Sequence, residues 1–123
     1  MVQPHPAISG RWAERRVQRL LEQRGWRLLD RNWRCRWGEL DLVLAKPQRL
    51  LVVEVKGRAS HGPDASGLAA LRQAKRRRLQ RSCLLWLANH PDHHDDAVVL
   101  VGALVSLPPR RNPVRWIQLT AWS

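Results

Sequence analysis

The sequence predicts an α/β fold, a central mixed β-sheet flanked by helices. Three features lead there: helical apolar spacing near the N-terminus, two period-two segments joined by a tight turn, and a long helix leading into a further β-branched run. A strand–helix–strand return of this kind places a parallel pair in a sheet whose other connections are hairpins.

Residues 1–10 read as a flexible N-terminal arm and residues 11–123 as a single domain. Ala13, Val17, Leu20 and Leu21 recur at i, i+4, i+7 and i+8, predicting a helix over 12–24. Gly25 stands where a helix C-terminal glycine belongs. Residues 26–37 alternate, with Trp33, Cys35 and Trp37 on one face and Arg34 and Arg36 on the other. In 39–44 the same rule puts Leu40, Leu42 and Leu44 on one face, and Glu39, Asp41 and Val43 on the other. Lys46-Pro47-Gln48-Arg49 makes a turn into a valine-rich strand over 50–56, so these two strands form a hairpin. A polar loop over 58–67 precedes a helix over 68–89, with Leu68, Leu71, Leu79, Cys83 and Trp86 inward and Lys75-Arg76-Arg77-Arg78 and Arg81 outward. A loop over 90–96, a buried strand over 97–107, a turn and an edge strand over 114–122 complete the order αβββαββ.

At 123 residues, 44% hydrophobic and 26% charged, the composition is that of one globular domain. No segment approaches the ~20 apolar residues of a membrane span. The N-terminus lacks an apolar signal core, and Cys35 and Cys83 form neither a close metal pair nor a disulfide framework. The expectation is a cytoplasmic protein with no membrane partner.

The chain carries 22 Lys+Arg against 10 Asp+Glu, a formal charge of +12 and a pI near 11.7. Lys46, Lys56 and Lys75 apart, every positive residue is arginine, whose planar fork suits phosphate. A polyanion, nucleic acid above all, is the expected partner.

In so basic a chain the placement of carboxylates is informative. Asp41 and Glu54 interrupt otherwise apolar strands of one hairpin, and Lys56 shares the Glu54 face. Charges there are costly unless paired or set in a cleft. Two carboxylates and an ammonium on adjacent strands can surround Mg²⁺ and act on a phosphodiester. The plainer reading is a salt bridge on the solvent face of an edge hairpin.

Gly38-Glu39-Leu40-Asp41-Leu42-Val43 and Val52-Val53-Glu54-Val55-Lys56-Gly57-Arg58 resemble the two core motifs of the YraN-like bacterial proteins. Those belong to the restriction-endonuclease-like PD-(D/E)xK superfamily and are close in pattern to archaeal Holliday junction resolvases. Glu14, Gly25, Arg31-Asn32, Lys75 and Asp96 fall at further positions of the pattern, while Ala13 replaces its usual glycine and no Phe precedes Asp96. The resemblance implies a restriction-endonuclease-like fold with Asp41 and Glu54 as ligands of Mg²⁺ (or Mn²⁺), Lys56 as catalytic lysine, and Glu14 joining the acidic cluster. Glu39 is a weaker candidate for a supporting role.

For the nucleic-acid backbone the candidates are Arg34, Arg36, Arg58, Lys75 and Arg76. Trp12, Trp86 and Trp116 are expected in the core; Trp33 and Trp37 either pack on the sheet or stack on unpaired bases. The loop over 90–96 lacks the ligand spacing of a zinc site. The expectation is a Mg²⁺-dependent endonuclease hydrolysing DNA phosphodiester bonds, on branched or damaged DNA, with DNA favoured over RNA. A non-catalytic DNA- or RNA-binding module on a nuclease fold, part of a repair or ribosome-associated complex, is the competing reading. Symmetric cutting of two strands would call for a homodimer, for which the last strand offers a pairing edge.

Overall fold

The computed structural model describes residues 6–58, 73–107 and 113–121. Its elements are α1 (Pro6–Gln23), β1 (Arg27–Cys35), β2 (Gly38–Lys46), β3 (Arg49–Arg58), α2 (Gln73–Ala88), a 3-10 turn (Pro91–His93), β4 (Ala97–Ser106) and β5 (Arg115–Ala121). The α/β class and element order follow the sequence expectation. Of the predicted arm, 1–5 lies outside the described residues, whereas helix α1 already includes Pro6–Gly10. A proline costs a helix nothing in its first turn, where its missing N–H would have no partner, so Pro6 can open it.

The five strands lie in the order β1-β2-β3-β4-β5. Among the described strands only the β3–β4 pair is parallel, joined by the crossover that contains α2; the other neighbours are antiparallel. Period two divides the apolar side chains between the two faces. On one, Ala13, Val17 and Leu21 of α1 pack against Leu42, Leu44, Leu51 and Val53. On the other, Leu79, Cys83 and Trp86 of α2 pack against Val43, Ala45, Leu50 and Val52. The sheet is thus covered on both sides, as a parallel pair requires.

Leu40 departs from the expectation. It lies in the α2 core with Val43, not on the α1 face with Leu42 and Leu44. The β2–β3 ladder runs from Lys46↔Arg49 only to Leu42↔Val53, while β3 stays paired with β4 as far as Arg58↔Ser106. Past Leu42, β2 is no longer tied to β3, so it can rotate and break its alternation at Asp41. The opened end of this hairpin forms the candidate site.

Candidate active site

Asp41 sits at the parting of β2 and β3. Its Oδ2 accepts the amide N–H of Val55 at 2.8 Å, so a carboxylate stands where a strand carbonyl would otherwise pair. Glu54, one residue earlier on β3, shares a side-chain hydrogen bond with Asp41. Burial, then the charge of Glu54, push the Asp41 carboxyl up to about 8, with Glu14 adding to the shift and the Val55 amide opposing it. A group held neutral into this range can bring two carboxyls together without a second full charge.

Glu14 approaches from α1. Burial is the main cause raising its pKa; Asn32 opposes this with a hydrogen bond, and Glu39 and Glu54 add repulsion. Asn32 lies in β1, and the flanking pairs Arg31↔Leu42 and Trp33↔Leu40 set it across from Asp41. Its φ of +53° is a left-handed conformation that Asn tolerates better than most residues. The strained residue therefore holds Glu14 beside the carboxyl pair, the kind of place where such strain concentrates.

α2 closes the other side. Lys75 Nζ lies 2.8 Å from Glu54 Oε1, with the Glu54 side chain only 11% exposed. Lys75, Arg78, Leu79 and Ser82, at helical spacing, join Trp37, Gly38, Glu39, Asp41 and Glu54 around a cleft of about 400 Å³. A second hollow, of about 270 Å³, lies where Arg11, Arg15 and Arg31 surround Glu14 and Asn32. Glu14, Glu39, Asp41 and Glu54 thus gather four carboxyl groups between two basic walls of a strongly positive protein.

The predicted site residues divide as follows. Asp41, Glu54 and Lys75 meet in the cleft, and Glu14 is close enough to act on Asp41 electrostatically. Lys56 is on β3 but exposed; among the described residues it forms no ion pair with either carboxylate. Arg34 is exposed and 3.6 Å from Glu39. Arg36 lies in the β1–β2 turn with its guanidinium 5.2 Å from the Trp37 ring centre. Arg76 is half-buried with its Nε unpartnered among the described residues. Arg58 ends β3, and its side chain lies outside the described residues. Sequence reasoning missed Arg78, Arg11, Arg15 and Arg31; counting three residues on from Lys75 finds Arg78.

Among the described residues no group of three His, Cys, Asp or Glu side chains closes in as a metal cage. A pair of carboxylates still suits Mg²⁺, which prefers one or two such ligands and keeps several waters. Hard oxygens of Asp41 and Glu54 converge there, and burial together with the charge of Glu54 raises Asp41.

A mixed five-stranded sheet between two helices, with an acidic pair where its central hairpin opens, defines a restriction-endonuclease-like α/β domain. The family model described as uncharacterised protein family UPF0102 matches residues 13–101. A UPF0102 protein of Prochlorococcus marinus is 54% identical over 90% of this chain and 88% of its own length. One from Synechococcus sp. is 52% identical over 91% and 93%, and one from Alcanivorax borkumensis 40% over 70% and 68%. The chain belongs to the UPF0102, or YraN, family. No described helix is long and apolar enough to cross a membrane.

Proposed function

We propose that this protein is a metal-dependent endonuclease acting on DNA. The observation that carries the reading is the Asp41–Glu54 carboxyl pair at the parting of β2 and β3, facing a cleft whose other wall is Lys75 and Arg78. A salt bridge on a solvent-facing hairpin does not explain this arrangement. Burying two carboxyls against each other is costly, and a divalent cation with a phosphate would relieve the cost.

Asp41 and Glu54 would hold Mg²⁺ or Mn²⁺. Bound there, the ion supplies Lewis acidity toward the phosphodiester and lowers the pKa of an attacking water. The Val55 amide fixes one oxygen of Asp41, and the Lys75 ammonium fixes Glu54 in its rotamer. Lys56 follows Glu54 on the same face, exposed, where its ammonium reaches substrate rather than a carboxylate. Glu14, held by Asn32, adds a third carboxyl that can orient water. The arginines of both walls take the backbone phosphates on either side.

One observation favours the non-catalytic alternative, a module that holds DNA or RNA within a larger assembly. Among the described residues, Lys56 is not paired with the carboxylates as a ready-assembled triad would have it. Purified protein incubated with single-stranded, duplex, flap and four-way-junction DNA in Mg²⁺, Mn²⁺ or EDTA separates the two. The endonuclease reading expects metal-dependent cutting that Lys56→Ala abolishes. Binding without cutting on every substrate, unaltered by the substitution, leaves the binding module.

A further inference from the structure

The β1–β2 hairpin closes at Cys35↔Gly38 around the two residues Arg36 and Trp37. Gly38, at φ +136°, absorbs a backbone angle that a side chain would resist, so the turn stays short and Trp37 is fixed at its tip. Trp86 is buried in the α2 core, and Trp33 packs against the same core. Trp12, Trp26 and Trp116 pack against the α1 core. Among the described tryptophans Trp37 alone joins neither core, and it lines the cleft that contains Asp41 and Glu54.

Two exposed guanidinium groups attend its ring. Arg81 from α2 lies 4.6 Å from the ring centre and Arg36 from the turn 5.2 Å. An indole left half-exposed, flanked by exposed cations and set at the mouth of the cleft that contains Asp41 and Glu54, matches no packing need of the sheet. Base–aromatic stacking is worth more than an exposed cation–π contact. A base can therefore displace one guanidinium, and the displaced arginine remains beside the phosphate that the base brings with it.

We infer that Trp37, with Arg36 and Arg81, is a stacking platform for an unpaired DNA base next to the phosphate presented to Asp41 and Glu54. The inference rests on the endonuclease reading for the role of the cleft, and it narrows the substrate to DNA with a single-stranded element: a flap, a gap or an opened junction. A fully paired duplex keeps its bases stacked on one another and offers nothing to the ring.

The test uses the intact chain and oligonucleotides with 2-aminopurine at single positions, titrated in EDTA so that no cleavage is needed. Wild type quenches the probe at one unpaired position of a flap. Trp37→Ala loses the quench and weakens flap binding about tenfold, while duplex affinity stays within twofold; Trp37→Phe restores most of the loss. Equal weakening on flap and duplex, or no weakening on either, overturns the platform. Because the readout is binding, a protein that quenches in this Trp37-dependent way but never cuts upholds the platform while refuting the endonuclease.

Discussion

Oδ2 of Asp41 receives the Val55 amide N–H at 2.8 Å, just beyond the last backbone pair between their strands, Leu42↔Val53. A single side chain thereby ends the ladder and stays fixed. The same bond that shapes the sheet positions the carboxyl, so stability and the proposed metal site are coupled at this residue.

That coupling has a pH signature. Asp41 titrates near 8 in the folded protein against an ordinary 3.8, so the folded state binds this proton more tightly than the unfolded one. Its contribution is fully present below about pH 4 and is lost as pH rises through about 8. Urea midpoints in EDTA are expected to fall over this interval for wild type. Asp41→Asn keeps an oxygen for Val55 but carries no charge, so its midpoint declines less and exceeds wild type above pH 8.

Lys75 sets a positive charge 2.8 Å from one oxygen of Glu54. It repels a cation at the same site, although its 41% exposure screens the effect. Lys75→Ala is expected to bind Mn²⁺ about two- to fivefold more tightly by calorimetry and to bind DNA more weakly. Unchanged Mn²⁺ affinity would place the metal away from Glu54.

Trp86 is 1% exposed and donates its indole N–H to Oδ2 of Asp30 at 3.0 Å, and His90 stacks on its ring at 3.7 Å. Trp86→Ala is expected to cost about 3–5 kcal/mol in denaturant unfolding. Trp86→Phe retains much of the packing but leaves Asp30 without its donor, for about 1–3 kcal/mol. A loss under 1 kcal/mol for the alanine variant would mean that α2 is not anchored there.

Burial alone pushes the Cys83 thiol up to about 12. The thiolate is the reactive form, so Cys83 is expected to resist thiol reagents in the native protein and to react once urea unfolds it. Mass spectrometry of the labelled Cys35→Ser variant reads this directly; rapid native labelling would show that α2 opens easily.

Much of this architecture was legible in the sequence because it depends on period and punctuation. Ala13, Val17 and Leu21 marked the buried face of α1, and Leu79, Cys83 and Trp86 that of α2. Asp41 and Glu54 stood out because a charge inside an apolar strand needs a reason. The rotation of Leu40 did not show, since strict alternation assumes an intact ladder and this one ends at Leu42. Nor did the Glu54–Lys75 contact, made between elements far apart in sequence. Lys56 drew the attention that proximity in sequence confers, whereas Lys75 occupies the cleft. Trp33 and Trp37, alike in sequence, part because β1 ends at Cys35, between them, and leaves Trp37 in the turn.

The most direct measurement is single-turnover cleavage of an end-labelled flap DNA in Mg²⁺ by wild type and Asp41→Asn, with binding followed in parallel by anisotropy. The account predicts that wild type cuts, and that Asp41→Asn binds at least as tightly, since an amide can never place a negative charge toward phosphate, yet cuts at least a hundredfold more slowly. Equal cutting by both proteins, or tight binding by wild type with no cutting, would contradict it.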